Sequence, residues 1–148
     1  MSWKDLETAQ PALAAFGAER FERFGVAYLA TVRKDGAPRV HPVTPIVGQG
    51  RLFLFMEPTS PKGHDLRRDG RYALHSAVSD SSGESGEFFI SGRATFRDDP
   101  ATRKLAAELA SYTPADHYVL FELDVESAAA TVYKDGQPVR QRWRAGEG

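Results

Sequence analysis

Residues 26–43 of the chain read VAYLATVRKDGAPRVHPV. Val26–Val32 is apolar and rich in β-branched residues, which predicts a buried strand. The Asp-Gly pair within Lys34-Asp35-Gly36 favours a tight hairpin turn, and Pro38–Val47 then forms the returning strand. From this stretch onward the apolar residues repeat with a period of two, so we expect a fold built on antiparallel strands.

The returning strand contains three prolines, Pro38, Pro42 and Pro45. Each proline removes one N–H donor from the hydrogen-bond ladder. Such a strand is either an edge strand, in which prolines discourage aggregation, or a strand whose backbone faces the polar edge of a flat ring. In the second case His41 or Thr44 could add a side-chain contact. The residues alone leave both interpretations open.

The remaining segments predict further short strands and a few peripheral helices. The predicted helices are Asp5–Phe24, with a break or bend suggested by Pro11 and Gly17, Pro61–Arg68, and a helix from Asp99 to about Tyr112. The further predicted strands are Arg51–Met56, Tyr72–Val78, Glu87–Phe96, His117–Val125, Ser127–Tyr133 and Val139–Trp143, with a polar loop over residues 80–86. About eight short strands with mostly short connections favour an antiparallel barrel. No Gly-rich strand-to-helix loop supports a dinucleotide-binding fold.

Composition excludes several classes of site. The 148 residues fit one domain, 1–148, in which we expect residues 1–24 to pack on the barrel. The net charge of −1 gives no bulk attraction to nucleic acid or acidic membranes. The absence of cysteine excludes disulfides, thiolate metal sites and a cysteine nucleophile, and the four histidines lack metal-ligand spacing. Residues 1–7 are acidic where a signal peptide is basic, and no apolar run reaches the roughly 20 residues that span a bilayer. We therefore expect a cytoplasmic protein without a metal site.

The segment from Thr59 to Arg68 has the features of an anion site. Ser60 is placed to cap a helix that begins at Pro61, and Lys62 adds a cation in the first turn. Helix-start amides and the helix dipole favour a phosphate group. A plain capped surface helix with a basic face explains the same residues, so this alternative stays open.

The C-terminal segment alternates basic and other residues. On a strand, Arg140, Arg142 and Arg144 lie on one face, and Gln141 and Trp143 lie on the other. A nucleic-acid stripe, a ligand or dimer contact, and a solvated tail are all compatible with this pattern. The net charge of −1 and the lack of a second basic stripe disfavour nucleic acid.

Taken together, these segments resemble the pyridoxamine 5′-phosphate oxidase-like family of flavin-binding split barrels. The resemblance spans roughly Phe24 to Trp143 and rests on Ala27–Val32, Asp35–Val43, Ser60–Lys62, Asp65–Leu74 and Ile90–Ala94. It implies a mainly β split barrel, an FMN-binding and Greek-key-like antiparallel barrel with peripheral helices. It also implies a homodimer with two cofactor sites at the interface.

The resemblance also implies cofactor-binding roles for particular residues. The residues implied to line the ring system are His41, Pro42, Val43 and Thr44. Met56 and Glu57, at the end of the following strand, are implied to lie beside it. Ser60 and Lys62 match the positions that hold the cofactor phosphate. Glu87 falls where a second strand touches the cofactor edge, and Arg142 and Trp143 come from near the same site.

The chain departs from the best-known branch of that family. His41 stands where the oxidase has Arg, Ile46 stands where it has Lys, and Pro61 interrupts the Ser-Arg-Lys phosphate motif. The C-terminal Arg and His cluster that grips pyridoxamine phosphate is not cleanly present. We therefore do not expect pyridoxamine phosphate oxidation.

The resemblance instead implies an FMN-dependent oxidoreductase that passes a hydride to or from a small conjugated substrate. One alternative is a reductase that uses an 8-hydroxy-5-deazaflavin coenzyme. Another is a non-catalytic flavin- or haem-binding protein in which His41, His64 or His75 is an axial ligand. No residue stands out as a proton donor.

Overall fold

The computed structural model describes residues 1–82 and 86–146. The predicted polar loop over residues 80–86 thus lies partly outside the described residues. The helices within the described ranges are α1 (Trp3–Ala9), α2 (Pro11–Phe24), α3 (Pro61–Arg68) and α4 (Pro100–Leu109). The strands there are β1 (Ala27–Val32), β2 (Pro38–Val43), β3 (Ile46–Gly48), β4 (Arg51–Met56), β5 (Arg71–Ser76), β6 (Glu87–Arg97), β7 (Val119–Leu123), β8 (Ser127–Lys134) and β9 (Gln137–Arg144).

The strands form one curled antiparallel sheet that divides at the long strand β6. The first part of β6 pairs with β5 on one side and β8 on the other, and its last part pairs with β7. One half of the sheet therefore runs β2-β1-β5-β6-β8-β9, and the other runs β6-β7-β4-β3. This arrangement confirms the prediction of a mainly β split barrel with peripheral helices.

Alternation along the strands places one face of the sheet in the core. Leu29, Leu74 and Ile90 lie side by side in paired strands and are fully buried. The two N-terminal helices cover this face with Trp3 and Phe21, which belong to the same core. A smaller cluster under α4 contains Ile46, Phe53, Phe55, Ala106 and Leu120.

The predicted helix Asp5–Phe24 is two helices, and the break lies at Pro11 rather than at Gly17. Gln10 separates α1 from α2, and Pro11 is the first residue of α2. Proline suits that position because its missing N–H has no intrahelical partner there. The helix continues through Gly17 to Phe24, where Gly25 ends it in the left-handed conformation.

The prediction of one strand over Pro38–Val47 is wrong, because the chain changes sheet halves at Thr44 and Pro45. Strand β2 pairs with β1, whereas β3 pairs with β4 in the other half. Pro45 lacks an N–H and disfavours a helical conformation at Thr44, which explains why the ladder is interrupted at the crossing point. Strand β2 lies at one end of the sheet, which agrees with the edge interpretation of its prolines.

Most other boundaries agree with the sequence to within a few residues. Helix α4 ends at Leu109 instead of Tyr112, and β7 begins at Val119 instead of His117. None of the helices in the described ranges is both long and apolar enough to cross a bilayer.

Candidate functional site

The start of α3 is held by the side chain of Ser60. Its Oγ donates to the carbonyl of Glu57 at 2.8 Å and accepts from the backbone N–H of Gly63 at 3.2 Å. The backbone N–H of His64 bonds to the Ser60 carbonyl at 3.1 Å. Pro61 has no N–H, so the amide of Lys62 is the one first-turn donor to which the described residues give no partner. A helix start with an uncommitted amide and an ammonium on the same residue can bind an anion.

The end of β4 reaches the same point. The Sδ of buried Met56 and the Oγ of Ser60 both border Gly63, where a Cβ would lie 3.4 and 3.0 Å from them. Glu57 is exposed, and both of its carboxylate oxygens lie 2.9 Å from Nε2 of His117. Met56, Glu57, Ser60 and Lys62, four residues named by the resemblance, are thus gathered at one end of α3.

A buried carboxylate lies one turn further along the same helix. Asp65 is 2% exposed. Its Oδ2 accepts from Thr31 Oγ1 at 2.7 Å and Arg39 Nε at 2.8 Å, and its Oδ1 accepts from Arg68 Nη2 at 3.2 Å. Burial opposes ionisation of Asp65, but these three donors outweigh it and hold the pKa of the carboxyl below its ordinary value. Asp65 therefore ties the edge strand β2 and strand β1 to α3 as an ionised group.

A positively charged depression of about 480 Å³ opens between α3 and the turn that joins β1 to β2. It is lined by Arg33, Lys34, Asp35, Arg39, Pro61, His64, Asp65 and Arg68. Asp65 is bonded to two of the four Arg and Lys side chains, and Asp35 accepts the backbone N–H of Ala37. The depression, which we call the cationic depression, therefore presents an excess of positive charge beside the first turn of α3.

The residues of β2 point to different sides of the sheet. His41 pairs with Leu29 and Val43 pairs with Ala27, so both lie on the core face, while Pro42 lies on the exposed face. Thr44 lies past the end of β2 and borders a separate depression of about 320 Å³. The structure therefore brings His41, Pro42 and Val43 to the edge of the sheet but leaves Thr44 at another depression.

Glu87, Arg142 and Trp143 lie in a second region, on β6 and β9. Glu87 Oε2 is 3.4 Å from His75 Nε2, and the His75 ring is stacked parallel to Phe89 with centroids 5.9 Å apart. Trp143 is 7% exposed and belongs to the core, whereas its neighbour Arg142 is exposed on the other face. This confirms the predicted alternation of the C-terminal strand. Both residues border a depression of about 390 Å³ that Phe89 also lines.

Pro42 and Arg142 lie at opposite ends of one row on the outer face of the sheet, which we call the exposed row. The paired residues that form this row are Pro42, Tyr28, His75, Phe89, Ala129 and Arg142. Five interstrand spacings of roughly 4.8 Å separate its ends, or about 24 Å along the sheet. Within one chain, the residues named by the resemblance therefore form two separate groups, from both of which Thr44 is set apart.

Reasoning from sequence missed Arg39, Asp65 and His117 as residues of this region. Arg39 shares a strand face with His41, and this alternation is readable from the sequence. The contacts of Asp65 with Thr31 and of His117 with Glu57 join residues distant in the chain, and no local pattern indicates them.

Comparison with known structures gives the same fold in several proteins of low sequence identity. A pyridoxamine 5′-phosphate oxidase-related, FMN binding protein from Nostoc punctiforme is 14% identical, with a TM-score of 0.71, over 93% of this chain and 91% of that one. A NimC/NimA family protein from Clostridium acetobutylicum is 18% identical, with a TM-score of 0.65, over 87% and 91%. A heme binding protein from Mycobacterium smegmatis is 19% identical, with a TM-score of 0.63, over 82% of this chain. This chain spans only 55% of the length of the Mycobacterium protein.

Comparison with curated protein sequences gives no match. A sequence profile of a family does match: the family described as pyridoxamine 5′-phosphate oxidase aligns with residues 15–132, which include most of α2, the edge strand β2, the start of α3 and the shared strand β6. The chain therefore belongs to the pyridoxamine 5′-phosphate oxidase family.

Proposed function

We propose that this protein binds FMN as a homodimer and passes a hydride to or from a small conjugated substrate. The observation that supports this most directly is the start of α3, where Lys62, which carries an unpartnered amide and an ammonium, directly follows Pro61 of the cationic depression. A phosphate monoester carries the charge that such a place stabilises. Family membership and the similarity to an FMN binding protein point the same way.

The elements around the start of α3 could hold both parts of a flavin. Asp65 ties the edge strand β2, which carries His41, Pro42 and Val43, to α3, and Met56 and Glu57 of β4 border the start of that helix. When bound, FMN would supply the hydride chemistry, and the protein would supply orientation and electrostatics. In this proposal β2 and the end of β4 orient the ring, and Lys62 neutralises the phosphate.

The exposed row supports a homodimeric site. Tyr28 is 46% exposed, Phe89 is 42% exposed and Val40 is 62% exposed on the same face of the sheet, an unusual concentration of large apolar side chains at a surface. A two-fold axis parallel to the strands and near the middle of the row would place Arg142 of one copy over Pro42 of the other. Such pairing would join the two separate groups of residues into two equivalent sites.

Haem is a second candidate ligand, because a heme binding protein shares the fold. His64 borders the cationic depression, where propionate groups could be neutralised. His41 and His75 are the other candidate axial ligands. An 8-hydroxy-5-deazaflavin coenzyme is the alternative redox cofactor.

Titration of the purified protein with FMN, riboflavin, the deazaflavin coenzyme and haem tests the proposal. Tryptophan fluorescence and the visible spectrum report binding. We expect micromolar or tighter binding of FMN and much weaker binding of riboflavin, which lacks the phosphate. Binding of haem alone, with a Soret band that one His→Ala change abolishes, would contradict the flavin proposal. Tighter binding of the deazaflavin than of FMN would contradict the choice of FMN as the cofactor.

A further inference from the structure

Arg39 is a guanidinium held in place by the protein at one side only. Its Nε donates to Oδ2 of buried Asp65 at 2.8 Å, and the side chain retains 25% of its exposure. Among the described residues, no acceptor bonds to either of its terminal nitrogens. The guanidinium borders the cationic depression together with Pro61 and His64 of α3. Arg39 thus presents two free donor groups at the depression while its third is fixed.

The start of α3 alone is a weak phosphate site. Ser60 uses its hydroxyl to bond Glu57 and Gly63, and Pro61 supplies neither an amide nor a charge. Lys62 contributes one amide and one ammonium, which is a point charge on a flexible stem. A phosphate monoester is close to a dianion at neutral pH, so one further oriented cation would complete its neutralisation.

We propose that Arg39 supplies this second cation and binds the phosphate of the cofactor from β2, with Asp65 as its positioning residue. This inference rests on the proposed FMN site and names the part of the chain that completes it. The planar fork of a guanidinium matches two phosphate oxygens at once. Asp65 fixes the fork by accepting from Nε, in the way that second-layer carboxylates orient a ligand-binding side chain.

Replacing Asp65 tests the proposal by the direction in which the phosphate affinity changes. A carboxylate beside an anion site repels the anion, so removing its charge in Asp65→Asn would strengthen phosphate binding if charge alone mattered. If Asp65 positions Arg39, the same change frees the guanidinium and weakens binding. The positioning role and the bare charge therefore predict opposite effects.

The experiment measures the affinities of FMN, riboflavin and inorganic phosphate for Arg39→Gln, Arg39→Lys and Asp65→Asn. Loss of a charge-assisted hydrogen bond corresponds to a loss of about 10- to 100-fold in FMN affinity. We expect this loss in Arg39→Gln, a smaller loss in Arg39→Lys and a loss of at least about threefold in Asp65→Asn. Riboflavin affinity stays unchanged in all three. Arg71→Gln, which removes an exposed guanidinium paired with Asp69, is the matched control and leaves FMN affinity unchanged.

The outcomes separate this inference from the proposed function. Equal FMN affinity in wild type and Arg39→Gln overturns the role of Arg39, while FMN binding itself stands. Equal losses of FMN and riboflavin in Arg39→Gln also overturn it, because the effect then does not concern the phosphate. If wild type binds inorganic phosphate but no flavin, dependence of that binding on Arg39 supports the site and refutes only the cofactor. If Asp65→Asn unfolds, the two Arg39 variants decide the question.

Discussion

The ring of Phe88 occupies the space that a side chain at Gly17 would need. A Cβ on Gly17 would lie far inside van der Waals contact with the end of the Phe88 ring. Phe88 is fully buried, and its ring meets the rings of Trp3 and Phe21 edge-on, with centroids 6.1 and 5.5 Å apart. The ring therefore cannot move aside, and helix α2 approaches β6 this closely only because residue 17 is glycine.

We expect Gly17→Ala to destabilise the protein although alanine is the better helix former. Alanine gains about 1 kcal/mol of helix propensity, whereas forced overpacking costs about 1–3 kcal/mol or more. A net loss of up to about 2 kcal/mol in the free energy of unfolding follows, measured by urea denaturation.

The control places the same change in a Phe88→Leu background, which opens space beside residue 17. There Gly17→Ala no longer meets the ring, so helix propensity dominates and the second change is neutral or stabilising. Equal destabilisation in both backgrounds would show that the contact with Phe88 is not the cause.

Glu122 joins three strands of the second half of the sheet. It accepts from Nε and Nη2 of Arg51, both at 2.7 Å, and from Nε of Arg97 at 3.1 Å. The hydrogen bonds from Arg51 are the main reason that the pKa of Glu122 lies below its ordinary value, although burial opposes the shift. This carboxylate therefore stabilises the fold fully above the unfolded-state pKa of about 4.3, and the contribution is lost as the pH falls through the lower folded-state pKa.

Replacement of Glu122 by Gln should lower the free energy of unfolding by about 1–2 kcal/mol at pH 7. The difference from wild type should shrink as the pH falls from about 5 toward 2, because the wild-type carboxylate is then protonated as well. Denaturant unfolding across this pH range measures both effects. Glu108→Gln, which affects an exposed pair with Lys104, serves as control and should change little. A difference at Glu122 that does not depend on pH would contradict the electrostatic explanation.

The sequence predicts the elements of this fold better than it predicts their partners. Apolar alternation locates nearly every strand, and the caps Ser60 and Asp99 locate the starts of α3 and α4. The change of sheet halves at Thr44 and Pro45 depends on which strands pair, and pairing between distant segments leaves no local pattern. For the same reason no local pattern indicates the contact of Asp65 with Arg39, although both residues belong to segments on which the family resemblance rests.

Two similar turns show the same limit on a smaller scale. Lys34-Asp35-Gly36 and Lys134-Asp135-Gly136 share their residues, and each joins two paired antiparallel strands. In the second, Asp135 and Gly136 both have positive φ, 52° and 76°, as a two-residue turn requires. In the first, only Gly36 has positive φ, 88°, and Arg33 bonds to Ala37 across a three-residue loop. The type of turn therefore depends on the register of the flanking strands and is not determined by the tripeptide sequence.

Lys62 provides a test of the phosphate site that is independent of Arg39. Replacement by Ala should weaken FMN binding by about 1.5–3 kcal/mol if the ammonium makes a charge-assisted bond to the phosphate. Fluorescence titration with FMN and riboflavin measures the change, and riboflavin affinity should stay the same. Lys104→Ala on the exposed face of α4 is the control. An unchanged FMN affinity in Lys62→Ala would remove Lys62 from the site.

The exposed row predicts that Phe89 holds two copies together. Phe89 is 42% exposed in the single chain, so Phe89→Asp costs the isolated protomer little but places a charge in the centre of the proposed interface, where an unpaired buried charge is strongly unfavourable. We expect the variant to be a folded monomer by sedimentation and to lose at least about tenfold in FMN affinity, because Arg142 of one copy no longer reaches the site of the other. Ala101→Asp, which adds the same charge to exposed α4, should change neither property. A Phe89→Asp variant that remains dimeric would exclude this face as the interface, and a monomeric variant with full FMN affinity would show that each chain binds the cofactor alone.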